Sequence, residues 1–141
     1  MPINAGLIAH YLADGSLRDI TGRNADGVLT IGASKGFIKT GIGQGALDFD
    51  SLNTTFVTPI TSNTDLINGF TISAWVTPRS YGEGAEGRIV DKSSNTFTVD
   101  GFAFLLTSSN KLLLRINSGG LRSSANNSVP FRVRSYVVVT V

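Results

Sequence analysis

The run Gly69-Phe70-Thr71-Ile72-Ser73-Ala74-Trp75-Val76-Thr77-Pro78 constrains the chain more than any other. It alternates with a strict period of two and is closed by a proline, which predicts a central β-strand. Ile72, Ala74 and Val76 then share one face, and Ser73, Trp75 and Thr77 share the other. A strand with one apolar face is stable only inside a sheet that packs against a second layer, so the remaining residues must supply neighbours. They have the composition for it. Of 141 residues 16 are glycine, 41% are hydrophobic and only 16% are charged. No amphipathic run of three helical turns occurs, so a single all-β domain over residues 1–141 is expected. No cysteine and one histidine are present; a disulfide framework, a thiolate metal site and a zinc finger are thereby excluded. The opening residues lack a basic and then apolar leader, and no apolar run approaches the roughly 20 residues that span a bilayer. The expectation is cytoplasmic synthesis without a signal peptide or membrane insertion.

Charge is unevenly distributed. Residues 1–100 hold seven Lys/Arg and ten Asp/Glu, net −3, while residues 101–141 hold five Lys/Arg and no acid, net +5. Lys111, Arg115, Arg122, Arg132 and Arg134 could form a surface for phosphate, an acidic glycan or an acidic neighbour. The plainer reading is solvated strand faces. These cations are spread over several predicted strands without interleaved aromatics, which argues against specific nucleic-acid binding.

Along the chain, residues 6–13 read as a first strand, apolar on both faces and covered on both sides, with His10 a hydrogen-bonded core residue and not a base. Residues 19–27 carry Asp, Asn and Gly at the spacing of turns that bond their own backbone, and the ligand order of a twelve-residue calcium loop is missing. A short strand at Val28 to Ile31 precedes a glycine loop over residues 32–45, in which Gly41 to Gly45 lacks the dinucleotide-binding spacing and no helix follows. Ala46 to Asp50 alternates, placing Leu47 and Phe49 inward and Asp48 and Asp50 outward, about 7 Å apart. Such a carboxylate pair can serve glycoside hydrolysis, but nothing nearby would separate the two pKa values, so a solvated edge or a calcium site is the simpler account. Further strands are read at Thr54 to Thr58, Arg88 to Lys92 and Val133 to Val141, with a mobile glycine loop and two solvated glutamates at residues 79–87. The clearest hairpin joins Gly101 to Leu106 with Leu112 to Ile116 across Ser108-Ser109-Asn110-Lys111, and a polar loop at residues 118–128 follows. The β-branched final strand is a sticky edge that something should follow or pair with.

Four pieces in order carry a resemblance: Gly6-Leu7-Ile8-Ala9-His10-Tyr11; Asp19-x-x-Gly22-x-Asn24-x-x-Gly27; Gly43-Gln44-Gly45-Ala46-Leu47-Asp48-Phe49-Asp50; and Phe70 to Val76 with Pro78. Over essentially its whole length the chain resembles the concanavalin A-like lectin/glucanase superfamily, in particular laminin G-like jelly-roll domains. The resemblance implies an all-β antiparallel jelly-roll β-sandwich of two curved sheets. Three departures stand out. Ser51-Leu52-Asn53-Thr54-Thr55 replaces the further acids that members often carry after Asp50. The final strand lacks most of the usual Trp-Tyr-His opening. The family also continues for several strands past Val141, so the jelly roll is read as lacking its last strands: either the ordered N-terminal part of a longer chain, or a fold completed by another chain. The Glu-x-Asp-x-Glu run of the hydrolase branch is absent, so no catalytic residue is assigned and an enzyme is not expected.

Two functional classes follow. The first is a carbohydrate-binding, lectin-like domain of a larger surface protein, with Trp75 or Tyr81 as an aromatic platform and Asn95, Arg115 and Asn117 as polar partners. Trp75 is equally readable as buried between the sheets. The second, preferred here, is a noncatalytic structural or adhesion module of a phage-type virion, a capsid decoration or tail component, oligomeric and docked to other protein subunits. No cofactor is expected, with calcium the one ion whose ligands the loops offer.

Overall fold

A computed structural model describes residues 6–30, 37–38, 45–49, 55–57, 69–93, 101–116 and 120–141, and describes the backbone alone at 29–30, 37–38, 55–57 and Glu83. Among these residues the strands are β1 Val28–Thr30, β2 Phe37–Ile38, β3 Ala46–Leu47, β4 Thr55–Val57, β5 Thr71–Val76, β6 Glu86–Ser93, β7 Gly101–Thr107, β8 Leu112–Ile116, β9 Gly120–Ser123 and β10 Ser135–Thr140. Every pairing is antiparallel. The chain falls into two compact units, Met1–Asn68 and Gly69–Val141.

The first unit departs most from expectation. Residues 6–13 form no strand; a single bridge joins Tyr11 to Asp19. His10 is exposed rather than a core residue, and Leu12 is about half exposed. The cause is local. The buried Asp19 carboxylate takes the His10 N–H at 2.8 Å, so this segment gives a side chain a bond that a strand would give its neighbour. β1 pairs with β4 from Val28 opposite Val57 to Thr30 opposite Thr55, and β2 pairs with β3. β2 thus lies within a stretch read as pure loop. β3 is only two residues long, so the period of two stops before it reaches Phe49: Phe49 is exposed and Asp48 is buried, the reverse of the expected assignment.

In the second unit β10 pairs with β5, from Ser135 opposite Val76 to Thr140 opposite Thr71. A second sheet runs β6-β7-β8-β9. The alternation read at Thr71–Val76 is realised, with Ile72, Ala74 and Val76 turned inward and Thr71, Ser73 and Trp75 exposed. Among the described residues β5 has a strand on one side only. Phe104, Leu106, Leu114, Val129 and Val137 form the buried core, with Ile72, Ala74, Val76 and Val139 packed against it, so β5 and β10 lie on the β7–β8 face as a two-layer sandwich. The β7–β8 hairpin has the predicted turn and pairs Phe102 with Ile116 through Leu106 with Leu112. Two loops are shorter than expected. β6 begins at Glu86, and β9 occupies Gly120–Ser123 inside the segment read as a polar loop. A strap over residues 124–129 closes the hairpin end: the Ser124 N–H donates to the Leu112 carbonyl, the Val129 N–H donates to that of Asn110, and Val129 enters the core.

Candidate functional site

The outer face of β5 and β10 is built by strand phase. Phe70 and Val141 exchange both backbone hydrogen bonds, at 3.2 and 2.9 Å. Counting back along the ladder, Val139, Val137 and Ser135 are hydrogen-bonded positions, and Thr140, Val138 and Tyr136 are the alternate, closer-spaced ones. Those closer pairs place Trp75 beside Tyr136, Ser73 beside Val138 and Thr71 beside Thr140 on the outward face. The Trp75 and Tyr136 rings are 5.0 Å apart and tilted by 44°. Trp75 is 62% exposed and Tyr136 56%. The Arg134 guanidinium lies 4.8 Å from the Trp75 ring centre, where the π-face attracts a cation. The Thr71 and Thr140 hydroxyl oxygens, 3.0 Å apart, end the row. The result is an aromatic ledge flanked by a permanent cation and hydroxyls, able to stack a flat apolar ring face and hydrogen-bond its polar rim.

Of the residues singled out from sequence, Trp75 stands on this ledge and is not buried between the sheets. Tyr81 is half-buried, its ring 4.5 Å from that of Phe131. Arg115 forms a two-pronged ion pair with Glu86 across β7, with Nη1 donating to Oε2 at 2.9 Å and Nη2 to Oε1; both side chains are less than a third exposed. Glu86 is therefore a paired strand residue and not a solvated loop residue. Asn95 and Asn117 lie outside the described residues. The sequence pattern gives Tyr136 no distinction from its strand neighbours and marks Arg134 only as one of five cations. Their spacing by two on the last strand was the available signal, but only the β5–β10 register brings them to Trp75.

The carboxylates have other duties. Asp19 is buried, and its oxygens accept from the Thr21 hydroxyl at 2.6 Å and from the N–H groups of His10, Thr21, Arg23 and Asn24. Burial alone would push its pKa up; the Thr21 hydroxyl and the backbone N–H groups outweigh that and hold it far below the usual carboxylate range. Asp91 pairs with Arg88 at 2.7 Å. Asp48 is buried, and Asp50, its expected companion, lies outside the described residues. Among the described residues no group of three or more His, Cys, Asp or Glu is placed to hold a metal ion.

A family model described as the concanavalin A-like lectin/glucanases superfamily matches residues 50–141. No curated protein and no solved structure matches the chain.

Proposed function

The chain belongs to the concanavalin A-like lectin/glucanase superfamily, and on that premise we propose that it is a noncatalytic adhesion module that holds a glycan on the outer face of β5 and β10. Its laminin G-like jelly-roll fold is that of lectin-like and adhesion modules. One observation carries the reading: Trp75 and Tyr136 stand side by side and more than half exposed on a sheet face. Exposing two large aromatic rings to water costs burial energy that a sugar's apolar face would recover. The noncatalytic part draws support from three of the described carboxylates, since Glu86 and Asp91 are tied to arginines and Asp19 to backbone donors. The test is a glycan array read with the wild type and Trp75→Ala. Competable binding that falls at least tenfold in the variant, with stability changed by less than about 1 kcal/mol, is the expected result. Binding that survives Trp75→Ala, or silence across the array, sinks it.

A second reading is a structural module of an assembly, such as a capsid decoration or tail component of a virion, docked to other subunits. It is favoured by Leu121, Val133 and Val138, each about half exposed, which is apolar area that a protein neighbour would cover. Recovery of the chain as a stoichiometric component of a purified particle would support it, and a free monomer in its native source would remove it.

A further inference from the structure

The two layers of the Gly69–Val141 unit differ in width, because among the described residues four strands, β6 to β9, face only β5 and β10. Beside β10 this leaves a cavity of about 130 Å³, floored by Phe104, Leu112 and Leu114, walled by Val138 and Val139, and edged by Arg122. That volume is well below the roughly 300 Å³ at which small-molecule sites begin, and suits an aliphatic side chain. Two further features converge on it. By the ladder phase set at Phe70 and Val141, the N–H and C=O groups of Tyr136, Val138 and Thr140 point away from β5. Among the described residues no strand pairs with that edge. Arg122 lies opposite Leu114 in the β8–β9 register, which puts it on the core-facing side of β9. There it is exposed, and its Nη1 donates to the Leu121 carbonyl at 3.0 Å.

A row of alternating backbone donors and acceptors is matched only by another extended chain, which would lie about 4.8 Å from β10 and above the cavity. Its inward side chains would meet Phe104, Leu112 and Leu114, and one of them would meet a guanidinium, for which a carboxylate is the complementary group. A second copy pairing symmetrically through β10 fits poorly. It would bring its own β8–β9 layer into the space β9 already fills, and would set Arg122 against a like charge. We infer that the open edge of β10 receives an extended strand from a partner protein, with apolar residues and one carboxylate on its inward face. The inference rests on neither functional reading above, and a silent glycan array leaves it intact.

The test uses the full chain, isotopically labelled, with the peptide acetyl-Thr-Val-Thr-Glu-Thr-Val-Thr-amide and its counterpart carrying Lys in place of Glu. On adding the Glu peptide, amide exchange should slow at least tenfold at Tyr136, Val138 and Thr140, and not at Val137 or Val139, whose N–H groups already serve β5. The Glu peptide should bind at least tenfold more tightly than the Lys peptide, and Arg122→Glu, an exposed change, should invert that order. Val138→Pro removes only a donor on the open side and should abolish binding while β5 and β10 stay paired. No added protection at saturating peptide, or an order of preference indifferent to Arg122→Glu, overturns the inference. So does protection of the three amides that appears without peptide and grows with protein concentration, because the occupant would then be a second copy.

Discussion

Asp19 is 2% exposed and accepts hydrogen bonds from four backbone N–H groups and one hydroxyl, spaced from His10 to Asn24. Its own N–H is taken by Asp26 Oδ1 at 3.0 Å. One buried side chain therefore ties His10 to the 19–24 turn, and removing it leaves several part-buried donors without their acceptor at once. Asp19→Ala should destabilise the Met1–Asn68 unit by about 3 kcal/mol or more, and Asp19→Asn by less, since one acceptor oxygen remains; thermal unfolding followed through the NMR signals of Tyr11 measures both. The pH dependence has a definite sign. Because the folded pKa is depressed, the contribution is fully present above the unfolded carboxylate value, near pH 4, and is lost only as pH falls toward the folded value. The stability gap between wild type and Asp19→Asn should hold constant from pH 7 to 5 and shrink below about pH 4. A gap that shrinks above pH 5 contradicts this account. The Asp, Asn and Gly spacing of residues 19–27 announces a turn that bonds its own backbone, but not that His10, nine residues before Asp19, joins it.

Among the elements, β6 and β7 depend on one glycine. Gly101 begins β7 opposite Ser93 with φ at +112°, and a Cβ built there would collide with the Lys92 carbonyl oxygen and carbon. Both obstacles are backbone, so neither can rotate away. Gly101→Ala should cost about 2 kcal/mol or more in denaturant unfolding. Gly15→Ala, also at positive φ but with open space around it, should cost only about 1–2 kcal/mol. Equal costs would show that the close approach to Lys92 contributes nothing. The Glu86–Arg115 pair spans the same sheet, joining β6 to β8 across β7. Neither its existence nor the start of β6 at Glu86 was legible, because a glutamate among glycines carries the local signature of a solvated turn. What removes it from solvent is an arginine 29 residues away.

At the scale of the whole molecule, the core of the Gly69–Val141 unit sits where the two sheets meet, and Phe104, 1% exposed, lies at its centre. Phe104→Ala should cost about 3–5 kcal/mol, seen as a lowered midpoint when Trp75 fluorescence follows unfolding; a change below about 1 kcal/mol would show that the layers do not depend on this contact. The alternation of Thr71–Val76, the β7–β8 hairpin with its turn, the final strand and the all-β class were determined by the sequence itself. Each rests on a pattern of period two or on turn residues within a few positions, and such patterns act before any tertiary contact forms. Sequence also carried the family, and of the pieces that suggest it the one the match over residues 50–141 contains is Phe70 to Val76 with Pro78. Tertiary structure alone decided that β10 pairs with β5 in the phase that sets Tyr136 and Arg134 against Trp75. It also decided that Trp75 faces outward, that Val129 enters the core from a strap, and that His10 gives its backbone N–H to Asp19. A strand's own residues specify which of them share a face; which strand lies beside it, and which face is then covered, depends on partners distant in the chain, and no local pattern encodes that.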